Sequence, residues 1–284
     1  ADMLELNMSC PNVGLMAQQM GVAAPPELGA ALGQNPSLAG LVTQAVVRAV
    51  SIPVMPKMTP EGNTAMVAAE CVKNGAAAIS GINCPQSLPG VDIYNDGRPR
   101  YPTTATQSYA GLCGPWIRPL AYRHIAQMAM KMPNLQIAGG GGLTNWRQSV
   151  EMIMYGASAL TYCTVLYFRG FEVLADIEAG LRRFVTEQGY KHILDFRGSA
   201  LKYIVTPDRV GYLPSLPAID PDKCTGCGFC VRPGHCEVLA LREGKAAVVR
   251  PEECTACSVC YWLCPHGAIQ MCRVEGVAAQ NKEW

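Results

Sequence analysis

Nine of the 14 cysteines in this 284-residue chain fall within its last 61 residues, at short and regular spacings. The first run is "CTGCGFC" (Cys224, Cys227, Cys230), followed after "VRPGH" by Cys236. The second is "CTACSVCYWLCP" (Cys254, Cys257, Cys260, Cys264), which closes on Pro265. Spacing of this kind points to metal rather than to disulfides. A pair of zinc knuckles would need four ligands for each tetrahedral site, and it leaves the two triplets at x2–x2 spacing unexplained. In the pattern C-x2-C-x2-C-x3-C-P, three thiolates hold one 4Fe–4S cubane and the fourth reaches across to a second. By that rule Cys224, Cys227, Cys230 and Cys264 hold one cluster, and Cys254, Cys257, Cys260 and Cys236 hold the other. The first run departs from the pattern, because its fourth cysteine comes after five residues instead of three and no proline follows it. Its cluster is expected to differ in potential or stability. Cys272 lies outside both runs.

Two adjacent clusters make a one-electron relay, so the rest of the chain should hold a redox centre of its own. There, short β-rich runs at 3–7, 52–57, 76–81, 135–140 and 159–163 alternate with apolar-periodic helices near 36–50, 63–74, 117–131, 144–155 and 170–188. Such alternation means parallel strands with crossover helices, and both a doubly wound sheet and a (β/α)8 barrel fit it. Polar or glycine residues sit at the C-terminal end of every strand, where a barrel builds its active site. The Pro- and Gly-bearing stretch "TPDRVGYLPSLPAIDPD" (206–222) then leads to the cysteine-rich segment. The expected organisation is a barrel portion at 1–205, a linker at 206–218 with the boundary near 216, and a small α+β domain at 219–284.

At 49% hydrophobic and 16% charged, a chain of this length can bury a large core plus a small one. Its net charge of +1 and lack of Lys/Arg runs give no electrostatic footprint for nucleic acid or an anionic membrane. No stretch reaches the roughly 18 uninterrupted apolar residues of a spanning helix, and no basic start precedes an apolar block. The expectation is a soluble, cytoplasmic protein.

"AGGGGLTNW" (138–146) places a glycine run at a strand end, with Thr144 as the expected cap of the next helix. Bare backbone N–H groups there would suit an anion. If these are the last two strands of a barrel, Gly140, Gly141, Gly142, Cys163 and Thr164 converge on one phosphate. No dinucleotide fingerprint follows a first strand. Lys57 ends "PVMPK", and a lysine there needs an anionic companion. A flavin meets that need, because a cation near its N1/O2 edge stabilises the reduced ring.

"LELNMSCPN" (4–12), "PVMPK" (53–57), "GINC" (81–84), "YAGLCG" (109–114), "IRPLA" (117–121), "GGGGLTN" (139–145) and "YGASALTYCT" (155–164) follow one another in the order of the FMN barrel of the class 1 dihydroorotate dehydrogenase family. With the cysteine-rich tail of bacterial ferredoxin type, the chain resembles the dihydropyrimidine dehydrogenase family over nearly its whole length. The resemblance implies an FMN-binding (β/α)8 barrel followed by a two-cluster ferredoxin domain. It makes Cys10 the proton-transfer residue, opposite the flavin, and has Asn7 and Asn83 hydrogen-bond the substrate. Lys57 and Gly114 fall to the flavin. The chemistry asks for the same arrangement, since reducing an electron-poor C=C needs hydride at one carbon and a proton at its neighbour. A thiol with an ordinary pKa of about 8.5 carries that proton at neutral pH.

Three features depart from the family pattern. Cys84 stands where a small hydroxyl residue is expected after Asn83, which leaves one substrate contact open. The segment after Cys10 is apolar and Pro/Ala-rich instead of glycine-rich. Only five β/α units are present, so the chain is expected to be the C-terminal portion of a longer one, completed by a missing barrel half. The reading is an FMN- and iron–sulfur-dependent reductase of uracil- or thymine-like rings. It takes electrons from NAD(P)H through an FAD-bearing partner subunit or domain, in an oligomeric assembly. The alternatives are a reductase of dihydroorotate or enoate type, or an electron-transfer subunit without its own catalysis.

Overall fold

The computed structural model describes residues 1–9, 21, 29–101, 103–211, 213–234 and 236–274. The chain divides into two units, Ala1–Ile204 and Val205–Trp284. The first unit runs β1 (Leu4–Asn7), α1 (Pro36–Ala49), β2 (Val54–Met58), α2 (Thr64–Lys73) and β3 (Ile79–Gly81). Four two-residue strands follow: β4 (Gln86–Ser87), β5 (Val91–Asp92), β6 (Arg98–Pro99) and β7 (Ala110–Gly111). It continues with α3 (Arg118–Lys131), β8 (Ile137–Gly140), α4 (Trp146–Met154), β9 (Ala159–Thr161), α5 (Thr164–Arg169) and α6 (Val173–Glu187).

Asparagine side chains start three of these helices. The Oδ1 atoms of Asn35, Asn63 and Asn145 accept from the amides of Leu38, Met66 and Gln148 at 3.1, 3.2 and 3.2 Å. Each satisfies an amide that the first helical turn leaves without a partner. The cap of α4 is therefore Asn145 and not Thr144. Gln148 folds back to accept from both the amide and the hydroxyl of Thr144, which fixes the chain one residue before the helix starts.

Strands β1, β2, β3, β8 and β9 form one parallel sheet in that order. An order that follows the sequence without reversal is an arc of a barrel, whereas a doubly wound sheet reverses direction at its switch point. Register aligns Asn7, Lys57, Ser80, Ala138 and Ala159 in one row. Strand alternation puts this row on one face. A side chain at Gly81, one residue along, would meet Met128 and Ile125 of α3, so the opposite face packs on the helices. That packed layer holds Met58, Ile79, Ile125, Met128, Ile137 and Met152, all buried. Beyond it, Phe196 packs edge-on against Phe184, with ring centroids 5.3 Å apart.

In the second unit, β10 (Ser215–Ile219) pairs antiparallel with β13 (Ile269–Arg273), and β11 (Leu239–Arg242) pairs with β12 (Lys245–Val248). The short helix α7 spans Val259–Leu263. Much of the expected linker at 206–218 thus belongs to this unit. Residues 215–218 form most of the strand that closes its first sheet, because β13 needs a hydrogen-bonding partner. Val238, Leu239 and Ile269 make a small core, against which Cys230, Cys254, Cys260 and Cys264 pack. Among the described residues, no helix is long and apolar enough to cross a membrane.

Candidate active site and cluster cavities

The C-terminal ends of β1 and β3 bring two of the expected substrate residues into direct contact. Asn83 Nδ2 donates to Asn7 Oδ1 at 2.8 Å and to Ser9 Oγ at 2.6 Å, while the Ser9 amide donates to Asn7 Oδ1 at 3.1 Å. A backbone N–H is an unambiguous donor, so it fixes which end of the Asn7 carboxamide is oxygen; that in turn fixes Asn83. What remains is the Nδ2 donor of Asn7 and the Oδ1 acceptor of Asn83, neither of which has a partner among the described residues. Together they complement a –C(=O)–NH– edge. Cys10 follows Ser9 directly but lies, with most of the apolar stretch after it, outside the described residues, as does His235.

Lys57, at the end of β2, pairs with Glu5 on β1 at 3.2 Å, with the two side chains 25% and 38% exposed. Glu5 was missed in the sequence, although it stands two residues before Asn7 on a strand and so shares its face. An ammonium carries three donors, and one carboxylate oxygen leaves two free for a second acceptor. Ser80 lies beside Lys57 in the sheet register, and its buried hydroxyl has no hydrogen-bond partner among the described residues.

The glycine run divides into two roles. A side chain at Gly140 would collide with Thr161 Oγ1, and one at Gly141 would meet Ala121, so both positions are glycine for packing. Gly142 (φ +76°) is different, because a Cβ there would stand 2.5 Å from the carbonyl oxygen of Gly114. Gly114 (φ +87°) in turn lies against Thr164 at the start of α5. The loops after β7 and β8 thus meet through bare backbone, and the first of them also lies against the Thr164 side chain in the loop after β9. The amides of Gly142 and Thr164 donate to no protein acceptor among the described residues. Such a cradle fits a phosphate. Cys163, the residue before Thr164, is exposed.

Cys84, the unusual neighbour of Asn83, has its sulfur 2.7 Å from that of Cys113. Burial first, and the adjoining Cys113 second, push the Cys84 thiol up to about 12.

In the second unit the eight cysteines surround two separate cavities. Cys224, Cys227, Cys230 and Cys264, with His266, line one. Cys236, Cys254, Cys257 and Cys260 line another, whose wall also includes Cys230. Eight thiols set around two cavities fit the ligand set of two 4Fe–4S clusters. The amides of Ala246 and Ala268 donate to the sulfurs of Cys224 and Cys264 at 3.4 and 3.2 Å. The Ala246 contact, with one from Gly226, holds the Cys224 thiol below its ordinary pKa.

A barrel arc carrying an anion cradle, joined to a cysteine-lined electron-transfer unit, defines the class as a flavin and iron–sulfur protein. The model of the family "Dihydroorotate dehydrogenase" matches residues 1–185, and that of the "4Fe-4S binding domain" matches residues 217–232 and 247–270. The chain belongs to the dihydroorotate dehydrogenase family, whose cofactor is FMN, and carries a 4Fe–4S binding domain after it. Cys236 falls in the gap between the two matched ferredoxin segments, as its irregular spacing implies.

The chain is 30% identical over 285 residues to the NAD-dependent dihydropyrimidine dehydrogenase subunit PreA of Escherichia coli (strain K12), covering 97% of this chain and 66% of that protein. It is 35% identical over 205 residues to the dihydroorotate dehydrogenase B (NAD(+)) catalytic subunit of Pyrococcus horikoshii, covering 71% of this chain and 61% of that one. The corresponding Pyrococcus abyssi subunit is 34% identical over 205 residues. The chain thus spans somewhat under two thirds of the length of these relatives.

Proposed function

We propose that this chain reduces a conjugated C=C in a pyrimidine-like ring, taking uracil or thymine to the 5,6-dihydro form. Electrons reach it from NAD(P)H through an FAD-bearing partner subunit or domain and cross two 4Fe–4S clusters. The observation that carries the reading is the Asn7–Asn83–Ser9 network, which leaves a carboxamide donor on Asn7 and an acceptor on Asn83 for the amide edge of such a ring. The span of the likeness to PreA supports it. That likeness covers 97% of this chain, whereas the likeness to the dihydroorotate dehydrogenases covers 71% of it.

FMN, when bound, supplies hydride to one carbon of the double bond. Gly114, Gly142 and Thr164 would hold its phosphate with their amides, and Lys57 would present its ammonium to the anionic edge of the ring. Asn7 donates to a substrate carbonyl and Asn83 accepts from the adjoining N–H, which orients the ring. Cys10, next to the fixed Ser9, delivers the proton to the neighbouring carbon. In the second unit, Cys224, Cys227, Cys230 and Cys264 hold one cluster, and Cys236, Cys254, Cys257 and Cys260 hold the other. The reaction belongs in the cytoplasm, where isolated free thiols such as Cys71 and Cys163 stay reduced.

The test is anaerobic reduction of the full protein followed by titration with uracil. Return of the flavin band with stoichiometric uracil, one equivalent for the flavin and a second where both clusters are also reduced, supports the reading. Return with orotate but not uracil overturns it in favour of a dihydroorotate-type substrate. The Cys10→Ser variant should keep the visible spectrum and lose most turnover, whereas an electron carrier without its own catalysis would show unchanged rates.

A further inference from the structure

Strands β4 and β7 make an antiparallel ladder that pairs Ser87 with Ala110 and Gln86 with Gly111. Continued by two residues, the same register sets Cys84 directly opposite Cys113. The Leu112 amide donates to the Pro85 carbonyl, so the pair between them is the hydrogen-bonded one. Cys84 and Cys113 are therefore a non-hydrogen-bonded pair. In such pairs the Cα atoms lie about 4.5 Å apart and the side chains come closest. A disulfide spans Cα separations of about 4.4–6.8 Å. The two sulfurs are already 2.7 Å apart, against about 2.05 Å for a bond. Gly111 keeps the approach clear, since a Cβ there would stand 2.9 Å from that of Cys84.

We propose that Cys84 and Cys113 form a reversible cross-strand disulfide, made by exchange with a low-molecular-weight disulfide such as glutathione disulfide and broken by exchange with the corresponding thiol. Cys113 is exposed and Cys84 is half-buried, which orders the steps. The Cys113 thiolate attacks the external disulfide, joins one of its sulfurs and releases the other half as a thiol. Cys84 then loses its proton to solvent and attacks Cys113, which releases the second half. The balance is two protein thiols and one external disulfide giving one protein disulfide and two external thiols. The raised pKa of Cys84 makes its attack the slow step.

The bond fastens two segments that carry the site. Asn83, held by Asn7 and Ser9, directly precedes Cys84, and Gly114 of the cradle directly follows Cys113. Among the described residues, Cys163 lies near enough to act on Cys84 electrostatically and is the competing thiol that needs a control. The inference goes beyond the proposed reaction and does not depend on it, because neither probe nor readout involves substrate.

The full protein is equilibrated anaerobically in a series of glutathione to glutathione disulfide ratios and quenched in acid. Free thiols are then alkylated with a light reagent, the protein is reduced, and the released thiols take a heavy reagent before peptide mass spectrometry. Cys84 and Cys113 should change from light to heavy together at one midpoint, in the parent and in Cys163→Ser alike. Unreduced digests should contain the peptide pair joining them. The rate of closure should rise about tenfold per pH unit around neutrality. Cys84 staying light throughout, pairing with Cys163 instead, or leaving Cys113 as an unresolved mixed disulfide would each overturn the proposal.

Discussion

In the second unit the cysteines of the two runs are part of the core, whereas in the first the site residues stand on a core that does not need them. Among the described residues, Cys230, Cys254, Cys260 and Cys264 pack on a cluster of three buried apolar residues. Asn7, Lys57 and Asn83 sit at strand ends in front of a layer of some twenty buried residues. A unit whose core is its ligand set depends for its fold on what the ligands hold. One whose site lies on the outside can change its site and keep its fold.

The largest break in this comparison should come from stripping iron with a chelator. The second unit is expected to lose its amide protection in hydrogen exchange, while that of the helices and strands up to Ile204 stays. A narrower break is Gly226→Ala. Gly226 has φ +70°, and a Cβ there would fall 1.9 Å from the carbonyl oxygen of Gly244. The equivalent place in the second run is filled by Ala256 at φ +56°. Gly226→Ala should therefore cost roughly half the iron measured per chain, whereas Ala256→Gly should cost none. On the other side, Met128→Ala opens a cavity behind the sheet and should destabilise the first unit by about 2–5 kcal/mol, with the cluster absorbance unchanged.

A pH scan sharpens the same contrast. His124 is buried, its Nε2 faces the Arg123 guanidinium at 2.9 Å, and burial with that cation lowers its pKa from 6.5 to about 4. The unfolded chain therefore takes up the proton first. Stability that is present above pH 6.5 should decline as pH falls toward 4, a loss on the order of 3 kcal/mol confined to the first unit. Denaturant midpoints across that range would show it, and His124→Gln should flatten the slope. The smallest effect on stability belongs to Lys57→Met. It removes a partly exposed ion pair, worth under about 1 kcal/mol. The flavin should nonetheless bind at least about tenfold more weakly, as read from its fluorescence on titration.

How much the sequence disclosed follows the same division. The cysteine sets were legible because each triplet is contiguous, and spacing alone says which thiolates share a cavity. The five strands and their helices were legible from periodicity, and the strand-end positions of Asn7, Lys57 and Asn83 came with them. Long-range register was not. Nothing local joins Lys57 to Glu5 or Cys84 to Cys113, and Gly140 and Gly141 look the same as Gly142 until their neighbours across the sheet are known. The cap at Asn145 eluded the motif because Thr144 and Asn145 both belong to the capping residue types, and the return of Gln148 to Thr144 chooses between them.

The fixed carboxamides of Asn7 and Asn83 have a consequence for which form of a ligand they can read. A lactam edge offers a carbonyl to the donor of Asn7 and an N–H to the acceptor of Asn83. Its lactim tautomer offers a hydroxyl and a bare ring nitrogen in those places, and the bare nitrogen faces the Asn83 oxygen lone pair to lone pair. Because the Ser9 amide bars Asn7 from flipping, and Asn7 then bars Asn83, the pair cannot reverse to suit it. In the proposed reaction these two residues select a tautomer, and they reject any ring whose nitrogen at that edge is alkylated.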